Sequence, residues 1–378
     1  MPATWPTEKK RMVIDRVDIL NFKNIPETRL DFSPGVNCLL GRNGMGKSNL
    51  LEAIHFLCMA RPMTSLPEAG LIRHGQDLMS VQGAFTMDGG SAEKVNIGIV
   101  RGKGKSLKRN GKEYDRLSQH IGVFPIVSVT PADSELVSGT AQERRRMMDM
   151  VISQANAPYL SALLRYNRSL EGRNSLLRSG ARDPLLFESV EAQMTEAASS
   201  IHAWRRDWIK AIAPAVSANY AEIAGDGESL EIAYSSALNE STMAEVLERN
   251  RQRDAALGYT SGGIHRDDIL SRLNGYSLRS YGSQGQVKSF TVALRLAVYD
   301  YLKKTGGETP LLLLDDIFDK LDSARVGRIM QLVSRSEAFG QIFITDTNRE
   351  HIDETLASLS GPKQLITVES GGFTPLSS

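Results

Sequence analysis

The stretch GRNGMGKS, residues 41–48, decides how the rest of the chain is interpreted. It follows the apolar run VNCLL and precedes NLLEAIHFL, whose apolar residues are spaced for a helix packed on a sheet. The glycines allow backbone amides to surround phosphate oxygens, and the positive end of the following helix points at the same anion. A strand, a glycine loop and a helix in this order predict a site for a nucleoside triphosphate.

Four side chains have predicted roles in the chemistry of this site. Lys47 reaches the β- and γ-phosphates and is one of two predicted catalytic residues, whereas the Ser48 hydroxyl is a predicted ligand of Mg²⁺. A second apolar run, LLLLDD at 311–316, supplies the matching half of such a site. Asp315 is predicted to hold Mg²⁺ through water. Asp316 is the second predicted catalytic residue, because it is placed to orient the attacking water.

A third element, SQGQ, opens the apolar helix that precedes LLLLDD. Ser283, Gly285 and Gln286 offer a hydroxyl and free amides at a helix N-terminus, which is a second place where an anion can bind. Since the glycine loop already holds the phosphates of one nucleotide, this second terminus indicates action in trans, on a nucleotide held by another subunit. The alternative, that SQGQ is an ordinary helix cap, stays open at this point.

The sequence between the two halves of the site changes character near Thr140. Before it, short alternating runs and the Asn110-Gly111 turn predict a β-rich lobe. From Thr140 to about Ile223 helix-forming residues dominate, and an apolar seam predicts one long helix packed on the preceding helical run. The seam consists of Phe187, Val190, Met194, Ala197, Ile201, Trp204 and Trp208. This inserted helical hairpin separates the two halves of the site along the chain.

Composition limits the class of protein. The 378 residues are 41% hydrophobic and 24% charged, which is typical of a soluble globular protein. No apolar run approaches the length of a membrane span and the N-terminus has no signal-peptide core, so a cytoplasmic location is expected. Cys38 and Cys58 lie in apolar contexts without metal-ligand spacing. The net charge of +1 means that any contact with nucleic acid must come from local basic clusters.

Together these motifs resemble the ABC-type ATPases of the SMC class and, in detail, the RecF family. The resemblance is carried by GRNGMGKSNLLEAIHFL, TPADSELVSGTAQERRRMMD, GGIHRDD and SQGQVKSFTVALRLA, and it spreads from residue 13 to about 350. It implies an α/β fold with an ABC-type P-loop ATPase head that includes the β-rich lobe, over 1–139 and 255–378. The inserted helical segment, 140–254, is then lobe II, a short antiparallel helical hairpin.

The function implied by the resemblance is that of an ATP-dependent DNA-binding protein of recombinational repair. ATP with Mg²⁺ would lie between the glycine loop of one subunit and the SQGQ signature of the other. The resulting homodimer would clamp duplex DNA at gaps or at junctions of single and double strands. The family further implies a weak, DNA-stimulated ATPase, a RecR-type mediator as partner, help in loading RecA, and no membrane partner.

The resemblance also assigns nucleotide-binding residues. Those in the glycine loop and its helix are Gly41, Asn43, Gly44, Gly46, Lys47, Ser48 and Asn49. The signature contributes Ser283, Gly285 and Gln286, and Lys23 lies where the family has a basic residue near the nucleotide. Asp315 matches the Walker B aspartate, and Leu321 with Asp322 match the end of the D-loop.

Several positions depart from the wider ABC pattern. Asp316 stands where many ABC proteins have glutamate, and because the shorter carboxylate reaches less far, slow hydrolysis is expected. Asp346 occupies the position of the switch histidine of transport ATPases, and Ile264 replaces the proline usual before HRDD. No glutamine marks a Q-loop in IVSVTPADSEL. These departures favour a timing switch over a fast motor.

Two basic clusters are predicted to contact DNA, because Lys and Arg neutralise phosphates without reading sequence. The predicted residues are Lys103, Lys105, Lys108, Arg109, Lys112, Arg144 and Arg145. The alternatives are a solvated hairpin and a solvated helix face, with one arginine paired to Asp149. His265 and Arg266 could touch DNA or nucleotide, or form an ion pair with Asp267 or Asp268. Without an aromatic platform for bases, duplex DNA is favoured over single strands.

Two other functions fit part of the pattern. The chain could be the nucleotide-binding subunit of a membrane transporter, although the missing Q-loop and the helical insertion count against it. It could also be a small-molecule P-loop kinase, but SQGQ would then have no role. Co-purification with membranes would favour the first alternative, and strictly monomeric ATP turnover would favour the second.

Overall fold

A computed structural model describes residues 11–64, 67–181, 183–225, 227–318, 321–334, 339–358 and 361–376. They form two compact units, one from the chain up to Ala132 and from Leu302 onward, the other from Asp133 to Tyr301. The helical unit is therefore larger than the predicted insertion at 140–254. The physical reason is that the segment after residue 254, including SQGQ, packs with the helices of the insertion.

Fifteen strands and ten helices are found within the described residues. The strands are β1 (Val13–Phe22), β2 (Ile25–Asp31), β3 (Val36–Leu40), β4 (Leu78–Thr86), β5 (Ala92–Val100), β6 (Gly104–Arg109), β7 (Lys112–Glu113), β8 (Ile126–Val129), β9 (Leu230–Ser235), β10 (Asp268–Leu273), β11 (Tyr276–Ser277), β12 (Leu311–Leu314), β13 (Ile342–Asp346), β14 (Lys363–Glu369) and β15 (Gly372–Leu376). The helices are α1 (Lys47–Met59), α2 (Glu135–Ser138), α3 (Ala141–Ala155), α4 (Ala157–Arg178), α5 (Pro184–Ala224), α6 (Met243–Leu257), α7 (Leu278–Tyr281), α8 (Gln284–Thr305), α9 (Ser323–Ser334) and α10 (Arg349–Ser358).

The first unit contains an antiparallel sheet with the strand order β2-β1-β4-β5-β6-β7. Its strands bury alternate residues, as in β5, where Val95, Ile97 and Ile99 are buried. Between β6 and β7, Asn110 and Gly111 both have left-handed backbone, with φ of 52° and 81°. This is the backbone of a two-residue type I′ hairpin, which confirms the predicted turn and the β-rich lobe.

The second sheet of this unit has the strand order β15-β14-β3-β13-β12-β8, and the five strands from β14 to β8 run parallel. The runs VNCLL, LLLL and IFITD are buried almost throughout, as expected for parallel strands covered on both faces. The carboxyl ends of β3, β12 and β13 meet at one edge, the place where open α/β sheets bind ligands. The sheet thereby brings the glycine loop beside Asp315, which confirms the predicted α/β core.

Helix α1 is a central element of the first unit. Every residue from Leu50 to Met59 is buried, because α1 packs against strands of both sheets. The side-chain amide of Gln341 joins the sheets as well. It accepts a hydrogen bond from the Ile14 N–H (2.8 Å) and donates to the carbonyls of Ile14 (2.9 Å) and Ser33 (2.8 Å). The helix that begins at the glycine loop is therefore anchored in a fully packed interior.

The second unit is built on the helical hairpin of α4 and α5. Only a short loop separates these two long, closely packed helices, so they run antiparallel. Met194, Ala197, Ile201 and Trp208 of the predicted seam are fully buried, as is Tyr166 on α4, and the predicted hairpin is confirmed. A three-stranded antiparallel sheet, β11-β10-β9, packs on α5 through β9. Within the described ranges, no helix has both the length and the apolar character needed to cross a bilayer.

A buried ion-pair cluster ties three helices of this unit together. The Arg173 guanidinium of α4 donates to Glu191 of α5 (2.8 Å), to Asp254 of α6 (2.7 Å) and to the hydroxyl of Thr260 (2.9 Å). Arg173 is 1% exposed and Asp254 is fully buried. Asp254 also accepts from the Ser261 backbone N–H (2.9 Å), so the buried carboxylate is well paired.

Candidate nucleotide site

The glycine loop between β3 and α1 has the backbone that a phosphate cradle requires. Gly44 and Gly46 lie in the left-handed region, with φ of 79° and 115°, and Gly46 is the N-cap residue of α1. Residues with a Cβ rarely adopt these angles. No atom lies within 4 Å of a Cβ built on Gly44, so that position is open to an incoming phosphate. Asn43 is also exposed on this loop.

At position 41, glycine is required for a different structural reason. A Cβ at this position would lie 2.4 Å from the carbonyl oxygen of Val368 in β14. The neighbouring parallel strand, rather than a ligand, therefore excludes a side chain at Gly41. The other side of the loop is supported by the β14–β15 turn, where the Gly371 N–H donates to the Met45 carbonyl (2.8 Å).

Lys47 holds its ammonium group against the loop. Its Nζ donates to the carbonyl of Gly41 (2.7 Å) and to that of Arg42 (3.2 Å), and the residue is only 4% exposed. Both acceptors are neutral carbonyl oxygens. The positive charge is consequently placed beside the loop glycines and remains available to an anion bound there.

The predicted magnesium ligands are adjacent. The Ser48 hydroxyl donates to Oδ1 of Asp315 (2.9 Å), and Asp315 is 5% exposed at the carboxyl end of β12. Among the described residues, no cluster of three or more His, Cys, Asp or Glu side chains could hold a metal by itself. A hydroxyl, one carboxylate and substrate phosphates are the donor set that suits Mg²⁺, so this pair fits a metal that arrives with the nucleotide.

Asp316 follows β12, and Asp346 is the last residue of the neighbouring strand β13. Asp316 has φ of 45°, an uncommon left-handed backbone for a residue other than glycine. Oδ1 of Asp346 accepts from the N–H groups of Thr347 (2.6 Å) and Asn348 (2.9 Å), and its Oδ2 lies 3.2 Å from Nδ1 of His351. The carboxylate of Asp346, the residue at the switch position, is therefore bound by groups at the start of α10.

Lys23 lies in the β1–β2 turn and Asn49 in the first turn of α1. The Lys23 amino group pairs with the buried carboxylate of Glu52 in α1. Nδ2 of Asn49 donates to Oδ1 of Asn24 (2.7 Å), and Nδ2 of Asn24 donates to the Gly44 carbonyl (3.3 Å). Asn49 thus supports the loop through Asn24, whereas the Lys23 side chain is paired with α1 and not with the loop. Asn24 is an additional supporting residue that the motif did not indicate, since its partners are distant along the chain.

In the second unit the signature residues form a reciprocal cap at the start of α8. The Ser283 N–H donates to Oε1 of Gln286 (2.9 Å), and the Gln286 N–H donates to Oγ of Ser283 (3.3 Å). Nε2 of Gln286 donates to Glu228 (2.7 Å), whose other oxygen accepts from Tyr220 of α5. Because Ser283 accepts from the backbone, its own hydroxyl proton remains available to an external acceptor.

The end of the predicted D-loop is described only from Leu321 onward, and residues 319–320 lie outside the described residues. Oδ1 of Asp322 accepts from the Arg325 N–H (2.9 Å) at the beginning of α9. This hydrogen bond lowers the pKa of Asp322. Asp322 therefore caps α9 as a carboxylate.

Two of the predicted DNA-binding residues between Lys103 and Lys112 form pairs within the first unit. Lys105 pairs with Glu68 and donates to the Ala60 carbonyl (2.7 Å). Arg109 forms two hydrogen bonds with Glu93, both 2.9 Å, which raise the pKa of Arg109 and lower that of Glu93. These cations are already paired, which argues against DNA contact. Lys103, Lys108 and Lys112 are exposed.

The arginine run of α3 is also used internally. Arg144 is buried and pairs with Asp268 through two bonds of 2.6 and 2.9 Å, and Arg145 donates to the Asp267 carbonyl (2.6 Å). Asp149 is bound by Arg205 (2.8 Å). The predicted alternative, a solvated helix face with one arginine paired to Asp149, is therefore wrong in detail, because Arg144 is buried against Asp268 and Asp149 is paired with Arg205.

His265 is likewise part of the interior of the second unit. Its Nδ1 lies 2.7 Å from the Tyr166 hydroxyl, and its Nε2 lies 3.0 Å from the Thr260 carbonyl. Burial lowers the pKa of His265 to about 4, so the ring is neutral near pH 7. A neutral, enclosed ring fits a structural role for the HRDD segment better than a phosphate contact.

Comparison with known proteins extends these observations to the whole chain. The family described as RecF/RecN/SMC N terminal domain matches residues 13–364. A protein of Parabacteroides distasonis named DNA replication and repair protein RecF is 44% identical over 97% of this chain and 100% of its own length. A protein of the same name from Porphyromonas gingivalis is 44% identical over 95% of this chain and 99% of its own length.

Two solved structures are similar to this chain in fold. One, described as the recombination mediator protein RecF-ATP in the RecFOR pathway, is 28% identical and covers 99% of this chain and 100% of its own, with a TM-score of 0.88. The other is an Smc head domain from Pyrococcus furiosus, 17% identical, with a TM-score of 0.58 over 97% of this chain and 96% of its own. The second likeness concerns the fold alone, that of an SMC-type ATPase head.

Proposed function

The chain belongs to the RecF/RecN/SMC N terminal domain family and, within it, to the RecF proteins, and from this premise we propose that it is an ATP-dependent DNA-binding protein of recombinational repair. The observation that carries the proposal is the convergence of Lys47, Ser48 and Asp315 on one glycine loop. Its relatives are named for DNA replication and repair, and one solved relative is described with ATP. The transporter and kinase alternatives lose their support with this membership.

The residues of the first unit would divide the ATPase reaction among them. Lys47 neutralises the β- and γ-phosphates, while Ser48 and Asp315 hold Mg²⁺, which supplies further charge neutralisation when bound. Asp316 orients the attacking water. Because aspartate reaches less far than glutamate, hydrolysis is slow and the nucleotide acts as a timer. The weak, DNA-stimulated activity is part of this proposal.

The signature is proposed to act on a nucleotide held by a second copy of the chain. Ser283 is exposed at the N-terminus of α8, and its cap leaves a hydroxyl proton to donate. A helix N-terminus favours negative charge, so a γ-phosphate from the partner would complete it. ATP would then join two copies and ADP would not.

Sedimentation velocity tests this proposal. The parent protein is expected to be monomeric with Mg²⁺-ADP and dimeric with Mg²⁺-ATP, and Asp316→Asn should accumulate the dimer because hydrolysis is slowed. Ser283→Arg places a large side chain at the signature, and the steric clash with the partner should weaken dimerisation at least about 10-fold. The affinity of the monomer for ATP should be retained. An ATP-driven dimer of Ser283→Arg would remove the signature from the interface. A parent protein that stays monomeric with ATP would contradict the proposed clamp itself.

The proposed DNA contacts are reduced to three exposed lysines in and around β6, with Lys103 in the β5–β6 turn, Lys108 in β6 and Lys112 in β7. Lys103, Lys108 and Lys112 extend from the first unit, whereas Lys105, Arg109, Arg144 and Arg145 are held in internal pairs. The proposed substrate is duplex DNA with a gap or a junction of single and double strands. Help in RecA loading and a RecR-type partner are included in the proposal because relatives are described in the RecFOR pathway. A cytoplasmic location and the lack of a membrane partner are included as well.

DNA binding at increasing salt measures the role of these lysines. In the variant Lys103→Ala, Lys108→Ala, Lys112→Ala, the slope of log K against log salt is expected to fall by roughly 0.9 for each DNA phosphate that is no longer neutralised. A matched control removes three exposed cations elsewhere, Lys210, Arg249 and Lys304. Equally weakened DNA binding in the two triple variants would show that these three lysines have no special role. ATP binding should be unchanged in both.

A further inference from the structure

Thr345, the next-to-last residue of β13, lies between the two aspartates of the ATPase site. Its hydroxyl donates to Oδ1 of Asp315 (2.7 Å) and accepts from the backbone N–H of Asp316 (3.0 Å). The side chain is completely buried. None of the motifs that identify the site includes this residue, and its position in a strand next to β12 is what brings it to the aspartates.

The first hydrogen bond fixes the orientation of the Asp315 carboxylate. A hydroxyl has one proton, and here Asp315 receives it. Oδ1 of Asp315 also accepts from Ser48 (2.9 Å), so two donors from two different elements hold this one oxygen. A carboxylate held in this way presents its other oxygen in a defined direction, as the partners of metal ligands commonly ensure.

The second hydrogen bond supports an unfavourable backbone. Asp316 has φ of 45°, and the left-handed region costs a residue with a Cβ about 1–2 kcal/mol. In this conformation the Asp316 N–H donates a hydrogen bond to Oγ1 of Thr345. The Asp316 side chain therefore leaves the main chain in a direction that the neighbouring strand helps to set.

We propose that Thr345 is a positioning residue for ATP hydrolysis, which aligns the magnesium-holding Asp315 and the water-orienting Asp316 through one hydroxyl. This inference rests on the proposed function, since it requires those roles for the two aspartates. Thr345 acts through these two residues and not on the nucleotide itself. Its replacement should therefore slow the hydrolytic step and weaken the use of Mg²⁺ without abolishing ATP binding.

The experiment compares Thr345→Val, which keeps the shape and removes the hydroxyl, with Thr345→Ser, which keeps the hydroxyl. For Thr345→Val we expect kcat to fall about 10–100-fold, the range typical for partners of metal ligands, with KM for ATP close to that of the parent. The Mg²⁺ concentration for half-maximal activity should rise. Thr345→Ser should restore most of kcat and the parental Mg²⁺ dependence. If Thr345→Val does not fold, Thr345→Ala takes its place beside Thr345→Ser.

A control separates positioning from packing. Val127→Ala removes buried volume from β8 in the same sheet, so it should lower the melting temperature without changing the Mg²⁺ dependence. Equal kcat and equal Mg²⁺ dependence in the parent and in Thr345→Val would overturn the inference while leaving the ATPase assignment intact. If Asp316→Asn hydrolyses ATP as fast as the parent, the role of Asp316 in the proposed function fails instead. The two failures are thus distinguishable.

Discussion

Replacement of Lys47 by alanine is expected to lower the affinity for ATP about 100-fold. The Lys47 ammonium is fixed by the carbonyls of Gly41 and Arg42 at 2.7 and 3.2 Å, so little rotamer freedom remains to be given up when phosphate binds. Hydrogen bonds to charged groups contribute about 1.5–3 kcal/mol, and about 1.4 kcal/mol corresponds to a tenfold change in affinity. Isothermal titration with a slowly hydrolysed ATP analogue measures the decrease.

The matched control for Lys47 is Arg42→Ala in the same loop. Arg42 is exposed, and its hydrogen bond with Lys47 uses only the backbone carbonyl, which alanine retains. We expect its affinity to stay within about threefold of the parent, because surface substitutions usually change energies by no more than about 0.5 kcal/mol. Unchanged affinity in Lys47→Ala would remove this lysine from the phosphate site. A similar decrease in both variants would point to damage to the loop rather than to a missing charge.

Replacement of Arg173 by leucine is expected to lower the free energy of unfolding of the helical unit by about 3–5 kcal/mol. The variant would leave the fully buried carboxylate of Asp254 without its guanidinium partner and would remove the link to Glu191. An unpaired buried charge is far more costly than the pair itself is stabilising. Urea unfolding followed by tryptophan fluorescence reports on this unit, since Trp204 and Trp208 belong to it.

Arg251→Leu provides the comparison for this second prediction. Arg251 is half exposed, and it lies 3.7 Å from the same Glu191 and 2.7 Å from Glu248. Exposed pairs of this kind contribute about 0–1 kcal/mol, so the effect of this replacement should be small. If Arg251→Leu and Arg173→Leu destabilise the unit equally, burial is not what makes the Arg173 cluster important.

Local sequence signals were sufficient for much of this protein. The phosphate loop, the buried strand that ends in Asp315, the Asn110-Gly111 hairpin and the seam of α5 each depend on residues close together in the chain. Within β6, period-2 alternation also distinguishes the paired cations Lys105 and Arg109 from the exposed Lys108. Lys105 and Arg109 are two positions on either side of the buried Leu107, so both point to its face of β6, whereas Lys108 points away.

The remaining contacts could not be predicted because their partners lie far apart along the chain. Arg144 pairs with Asp268, Asn24 with Asn49, and Thr345 with Asp315, and in each case folding alone brings the two side chains together. In α3, unlike β6, the sequence does not reveal whether Arg144 faces solvent or a buried counter-charge. For this reason the count of positive charges in the two basic clusters included cations that are paired internally.

The order of strands in the parallel sheet has a consequence for biosynthesis. β3, which leads into the phosphate loop, lies between β13 and β14, and neither neighbour exists until the chain beyond the helical unit has been translated. When the helical unit has been translated, both edges of β3 are still unpaired. Unpaired strand edges make a nascent chain prone to aggregation. A nascent or prematurely terminated polypeptide would therefore lack a formed phosphate loop. Nucleotide binding, and every step that depends on it, is thus expected only of chains in which β13 and β14 have already been synthesised.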